Sequence, residues 1–149
     1  MAKKNADTNY NTNLASEYLM MSLLCRAGKD AYLSLGNKKG VDIIVKTEKG
    51  AICVVEVKGV NDKHVPWPVG TKGIFPQADN LFYALVCYNS KIANLIESAE
   101  FWLIPSNQLV HFEVDSKGNT VYLLKTKIRK HYGEYRNTFL FLDSYLCNN

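Results

Sequence analysis

Gly40-Val41-Asp42-Ile43-Ile44-Val45-Lys46-Thr47-Glu48-Lys49-Gly50-Ala51-Ile52-Cys53-Val54-Val55-Glu56-Val57-Lys58 is the stretch that decides how this chain folds. Two apolar, β-branched runs flank Glu48-Lys49-Gly50, which reads as a three-residue hairpin loop with glycine at the position that needs a positive φ. If Thr47 faces Ala51 across that loop, Asp42 lands opposite Glu56. Side chains alternate along a strand, so Glu56 and Lys58 share a face with Asp42 beside them. A slip of one residue would send Asp42 to the other face. Two facing carboxylates repel, and charge inside runs this apolar is costly to bury without a partner. A divalent cation between the carboxylates is the compensation that explains the three charged residues together.

The rest of the chain bounds this reading. The 149 residues are expected to form a single domain, 1–149, large enough to bury about two-thirds of its unfolded surface. With 47% hydrophobic and 21% charged residues, the composition is globular and argues against disorder. The net charge of +4 permits a nucleic-acid partner without requiring one. No apolar run reaches the length of a membrane span and the start lacks a signal-peptide core, so a cytoplasmic protein without a membrane partner is expected. Cys25, Cys53, Cys87 and Cys147 are dispersed and form no Cys-x-x-Cys pair, which argues for reduced thiols and against zinc.

Residues 1–12 are polar and are expected to fray. Residues 14–27 read as an amphipathic helix ended by Gly28, with Leu14, Tyr18, Met21, Leu24 and Cys25 as its stripe. Glu17 falls inside that stripe, a second misplaced acid. An edge run over residues 31–35 precedes the hairpin. Residues 59–80 lose all periodicity and carry Pro66, Pro68 and Pro76, which reads as a long loop, functional or disordered. Buried strands are expected over residues 81–88 and 101–104 with a short helix at 91–97 between them. Ser106 is placed to cap a helical turn, residues 121–124 to form a strand, and residues 138–146 to form a terminal helix after a basic stretch that begins at 125. The order predicts an α/β fold, a central mixed β-sheet flanked by helices.

Glu17 on a helix, Gly40-Val41-Asp42 opening a strand and Val55-Glu56-Val57-Lys58 ending the next together resemble the PD-(D/E)XK nuclease superfamily. Small restriction, homing and junction-resolving endonucleases are its nearest type. Val41 stands where the nominal motif has proline, a position that supplies no ligand. The resemblance implies a restriction-endonuclease-like core of helix, three-stranded antiparallel unit and strand–helix–strand. It implies a metal-dependent endonuclease acting on DNA, with Glu17, Asp42, Glu56 and Lys58 catalytic. Asp42, Glu56 and the Val57 carbonyl would hold Mg²⁺, or Mn²⁺ in its place, because hard oxygen donors suit that ion. Lys58 would activate water, and Gln77 lies where the family places an accessory polar residue.

Lys38, Lys39, Lys63, Lys72, Lys127, Arg129, Lys130 and Arg136 are the candidate contacts to a phosphate backbone, against a solvated charged strand and loop as the plain alternative. Trp67 would either stack on a base or plug the core. One site per chain cuts one strand, so a homodimer is expected for a double-strand break. RNA stays open as a substrate, because no residue here reads a ribose hydroxyl. Two other functions compete: an inactive nucleic-acid-binding module of the same fold, and a protein-interaction subunit of a defence or mobile-element system.

Overall fold

The computed structural model describes residues 2–34, 41–71, 76–114 and 118–149. In chain order its elements are α1 (Ala2–Arg26), β1 (Asp30–Leu33), β2 (Ile43–Lys46), β3 (Ile52–Val60), β4 (Trp67–Thr71) and β5 (Leu81–Cys87). Then come β6 (Glu100–Pro105), β7 (Glu113–Val114), β8 (Thr120–Leu123), α2 (Lys125–His131) and α3 (Leu140–Asn148). Among the described residues the strands form two sheets, a five-stranded one in the order β1-β2-β3-β5-β6 and a three-stranded one in the order β4-β8-β7. β3 and β5 are parallel and their other neighbours antiparallel, so the central sheet is mixed, as the sequence predicts.

Each face of the central sheet has its own core. Met20, Leu24, Ile43, Val45, Val55 and Val57 pack on the α1 and α3 side. Trp67, Tyr83, Leu85, Trp102, Leu123 and Ile128 fill the side covered by the small sheet and α2. β5 is buried at every position, which is why its sequence is a continuous apolar run rather than an alternation.

Helix α1 starts well before residue 14, and its buried face is not the expected stripe. Thr12, Ser16, Met20 and Leu24 are buried, four residues apart, whereas Leu14, Tyr18 and Cys25 are exposed. The cause is Gly59 on β3: a Cβ there would stand 2.1 Å from Ser16 Oγ and 3.0 Å from the Thr12 carbonyl. Helix and strand touch so closely that only small side chains fit. The Ser16 hydroxyl satisfies itself by donating to Thr12 O at 2.7 Å. At the other end Gly28 adopts φ +73°, and Lys29 N donates to Leu24 O, a Schellman stop as predicted.

Four other expectations fail. Residues 91–97 form turns, not a helix, with Lys91 at φ +80°; β6 returns antiparallel beside β5, so no crossover helix is needed. Residues 59–80 are not one irregular loop, since β3 runs on to Val60 and β4 follows. Ser106 caps nothing: its hydroxyl donates to Ala78 O and accepts from Ala78 N. The basic stretch after residue 124 is the helix α2, which buries Lys125 and Ile128, not a strand and loop. No helix among the described residues is long and apolar enough to cross a membrane.

Candidate active site

The hairpin has the expected three-residue loop. Thr47 N donates to Ala51 O, Gly50 N donates to Thr47 O, and Gly50 sits at φ +87°. Ile43 therefore lies opposite Val55 and Lys46 opposite Ile52, the register that carries Asp42 toward Glu56. Asp42 lies just ahead of β2. Its backbone N–H donates to Val55 O at 3.2 Å, and its Oδ2 accepts the Val57 N–H at 2.7 Å. The side chain thus supplies a rung where the ladder has ended, and that fixes its carboxylate against β3.

Val55 and Val57 point to the α1 side, so Glu56 and Lys58 face the other way. Glu56 is buried, 6% exposed, with Oε1 accepting from Lys58 Nζ at 2.6 Å. Its Oε2 is buried without a hydrogen-bond partner. An ionised oxygen in that state costs several kcal/mol on general grounds, so it calls for a cation or a donor. Tyr83, its register neighbour on β5, donates its hydroxyl to Pro76 O and walls the site from the core. Burial, then the Glu56 charge and the contact of the hydroxyl with the Glu56 side chain, pushes the Tyr83 hydroxyl well above its ordinary range.

The same crowding marks Asp42 and Glu17. Burial raises the Asp42 carboxyl above its ordinary value, the Val57 N–H and Lys58 pull it down, and Glu56 adds to the rise. Glu17 is raised by burial and next by the Asp42 charge, with Lys58 opposing. All four residues therefore share one electrostatic neighbourhood. Among the described residues no three His, Cys, Asp or Glu side chains converge to hold an ion. Glu17 is thus a neighbour by charge and not a third direct ligand. The donor set for a cation is Asp42, Glu56 and the carbonyl of Val57, all hard oxygens. Mg²⁺ is commonly held by one or two carboxylates, with waters and phosphate oxygens completing its shell, so two suffice and the set fits. An uncharged, mostly apolar cleft of about 440 Å³ lies farther along β3, lined by Thr12, Gly59, Val60, Asn61, Val65 and Pro68 among others.

The expected nucleic-acid contacts divide. Lys38, Lys39 and Lys72 lie outside the described residues. Trp67 is fully buried, donates its ring N–H to Val86 O and meets Trp102 edge-on at 5.7 Å. It is the core plug and has no face left for a base. Gln77 is exposed and donates to Ser106 O at 3.3 Å, a contact to the backbone. Lys127 pairs with Glu113, while Lys63 and Lys130 are exposed. Arg129 and Arg136 both bind Glu100, a buried acid that also holds Lys125. Sequence reasoning passed over Glu100, although an acid at the head of Phe101-Trp102-Leu103-Ile104 is the same kind of anomaly as Glu56.

No family model matches the chain, and no curated protein matches it. Among solved structures it is similar to a bacterial homing endonuclease, I-Ssp6803I, with a TM-score of 0.53 and 17% identity. The match covers 94% of this chain and 96% of that one. The two therefore share an α/β fold over nearly their whole lengths.

Proposed function

We propose that this protein is a metal-dependent endonuclease that hydrolyses DNA phosphodiesters, built on the PD-(D/E)XK plan, with its centre at Asp42, Glu56, Val57 and Lys58. The observation that supports this reading most is the buried, partnerless Oε2 of Glu56 beside a second desolvated carboxylate, Asp42. The shared fold with a homing endonuclease agrees with it.

Asp42 and Glu56 would hold the ion together with the Val57 carbonyl, Asp42 keeping its angle through the Val57 N–H. A bound Mg²⁺ supplies charge relief on the phosphoryl oxygens and a more acidic water. Lys58 Nζ, tied to Glu56 Oε1 by one N–H, keeps two donors to orient the attacking water and a phosphoryl oxygen. Glu17 adds negative charge at the rim and would position water rather than bind the ion directly. Tyr83 and the core behind it keep bulk water from reaching Glu56 from beneath.

One observation favours a second reading: the Lys58–Glu56 pair already neutralises half of the site, as a retired centre that still binds nucleic acid would. Nicking of supercoiled plasmid in Mg²⁺ or Mn²⁺, with a chelator as control, separates the two. The wild type is expected to nick only with metal. Asp42→Ala and Lys58→Ala are expected to fall by about a hundredfold or more in protein that still melts cooperatively above the assay temperature. Metal-dependent nicking that survives both substitutions would contradict the proposal, and binding without cleavage would favour the second reading.

A further inference from the structure

A second charged cluster lies on the same face of the central sheet as Glu56 and Lys58, and the chemistry above does not use it. Side chains alternate along β6, and Trp102 and Ile104 face the core under the small sheet, so Glu100 faces that way too. Lys58 is two residues before Val60, whose register partner is Cys87, whose partner in turn is Glu100. Two strand spacings and two residues put the two clusters on the order of 12 Å apart. A polynucleotide strand covers that in a few nucleotides.

Glu100 is 7% exposed and carries three cations: Lys125 at 3.1 Å, Arg129 at 3.3 Å and Arg136. One carboxylate against three cations leaves two positive charges over. Lys125 is spent internally, its three donors going to Cys87 Sγ, Asn89 Oδ1 and Glu100. The arginines are not. Each uses one guanidinium nitrogen on Glu100, and their side chains are 53% and 49% exposed. A guanidinium has five N–H donors in a rigid fork, so a buried acid at its back leaves the front aimed outward. Against Arg129 lies a pocket of about 320 Å³ lined by Lys63, His64, Lys125 and Thr126, with no acid in its wall. Lys63 reaches it from the turn that follows β3, and the nearby Asp62 turns its Oδ1 to the His64 N–H.

We propose that Lys63 and Arg129, with Arg136 beside them and Glu100 as the buried post that aims the arginines, form a phosphate-backbone anchor for the DNA strand that passes over Lys58. The inference rests on the nuclease reading for its substrate, and binding and cleavage are separable. The anchor is electrostatic and reads no base, so its signature is salt dependence.

The test is fluorescence anisotropy with a labelled duplex, without divalent metal, over a series of salt concentrations, alongside plasmid nicking. Lys63→Gln touches no partner of Glu100 and is the clean variant; Arg129→Gln is the second, and Lys49→Gln, in the β2–β3 loop at the opposite end of β3, is the control. Lys63→Gln and Arg129→Gln are each expected to weaken binding and make the log–log salt slope shallower by roughly one, and Lys49→Gln to leave it unchanged. Wild-type slopes in both variants would overturn the anchor, even if the wild type nicks DNA, and so would no binding at low salt. Salt-sensitive binding lost in both variants, with no nicking by the wild type, would uphold the anchor and sink the nuclease reading.

Discussion

Glu56 and Glu100 are both acids buried on the same face of one sheet, and their partners give them opposite roles. Glu100 is over-compensated by three cations, whereas Glu56 has one cation and an oxygen left bare. Glu100→Gln should therefore destabilise the fold by about 3 kcal/mol, because Lys125 is left buried with its charge poorly matched. The pH dependence has a definite sign. Burial pushes the Glu100 carboxyl up, but Lys125 and Arg136 outweigh it and hold it below the ordinary value of 4.5. Its contribution to stability is present above about pH 4.5 and is lost as pH falls through the depressed value. Thermal melts of wild type and Glu100→Gln are thus expected to differ at pH 7 and converge in acid. Glu56→Gln is expected to behave otherwise, staying folded but losing any rise in melting temperature that Mg²⁺ or Mn²⁺ gives the wild type. The Glu56 anomaly is legible in the sequence, because an acid two residues from a lysine interrupts a β-branched run. Glu100 sits at the margin of its run, and its partners lie 25 or more residues away, in α2 and in the extended segment at Arg136, whose placement no local pattern reveals.

At the scale of elements, local chemistry was readable and tertiary contact was not. The β2–β3 hairpin follows from one glycine in a three-residue loop, so its register could be predicted. The Gly28 stop of α1 is local in the same way. The buried face of α1 is not, because it is chosen by the bare backbone at Gly59. β4 carries Pro68 and Gly70 with a register shift between them, which hides a strand from any periodicity test. The Gly59 contact yields a sharp expectation. Gly59→Ala should cost about 1–3 kcal/mol by overpacking against Ser16, and Ser16→Gly should restore part of it. Chemical denaturation of the two single variants and the double variant measures this. Glu17 adjoins Ser16, so the displaced helix is also expected to slow cleavage.

The whole molecule places its chemistry on one side. One face of the mixed sheet carries α1, α3 and a mainly apolar core, with Thr12 and Ser16 buried at the Gly59 contact and Glu17 beside Asp42, while the other carries Glu56, Lys58, the Glu100 cluster and the small sheet. The fold class was legible because apolar runs and turns alternate in the right order. The division of labour between faces was not, since it depends on which elements stack above the sheet. On the proposed chemistry one site per chain would nick one strand, so a double-strand cut is expected to require two copies, with a rate that rises with protein concentration. The most direct test of the central claim is a crystal soaked in Mn²⁺ and measured at the manganese absorption edge. The account expects one anomalous peak bounded by Asp42, Glu56 and the Val57 carbonyl, absent in Glu56→Gln. A crystal with no peak there, or with a peak that Asp42 and Glu56 do not share, would contradict it.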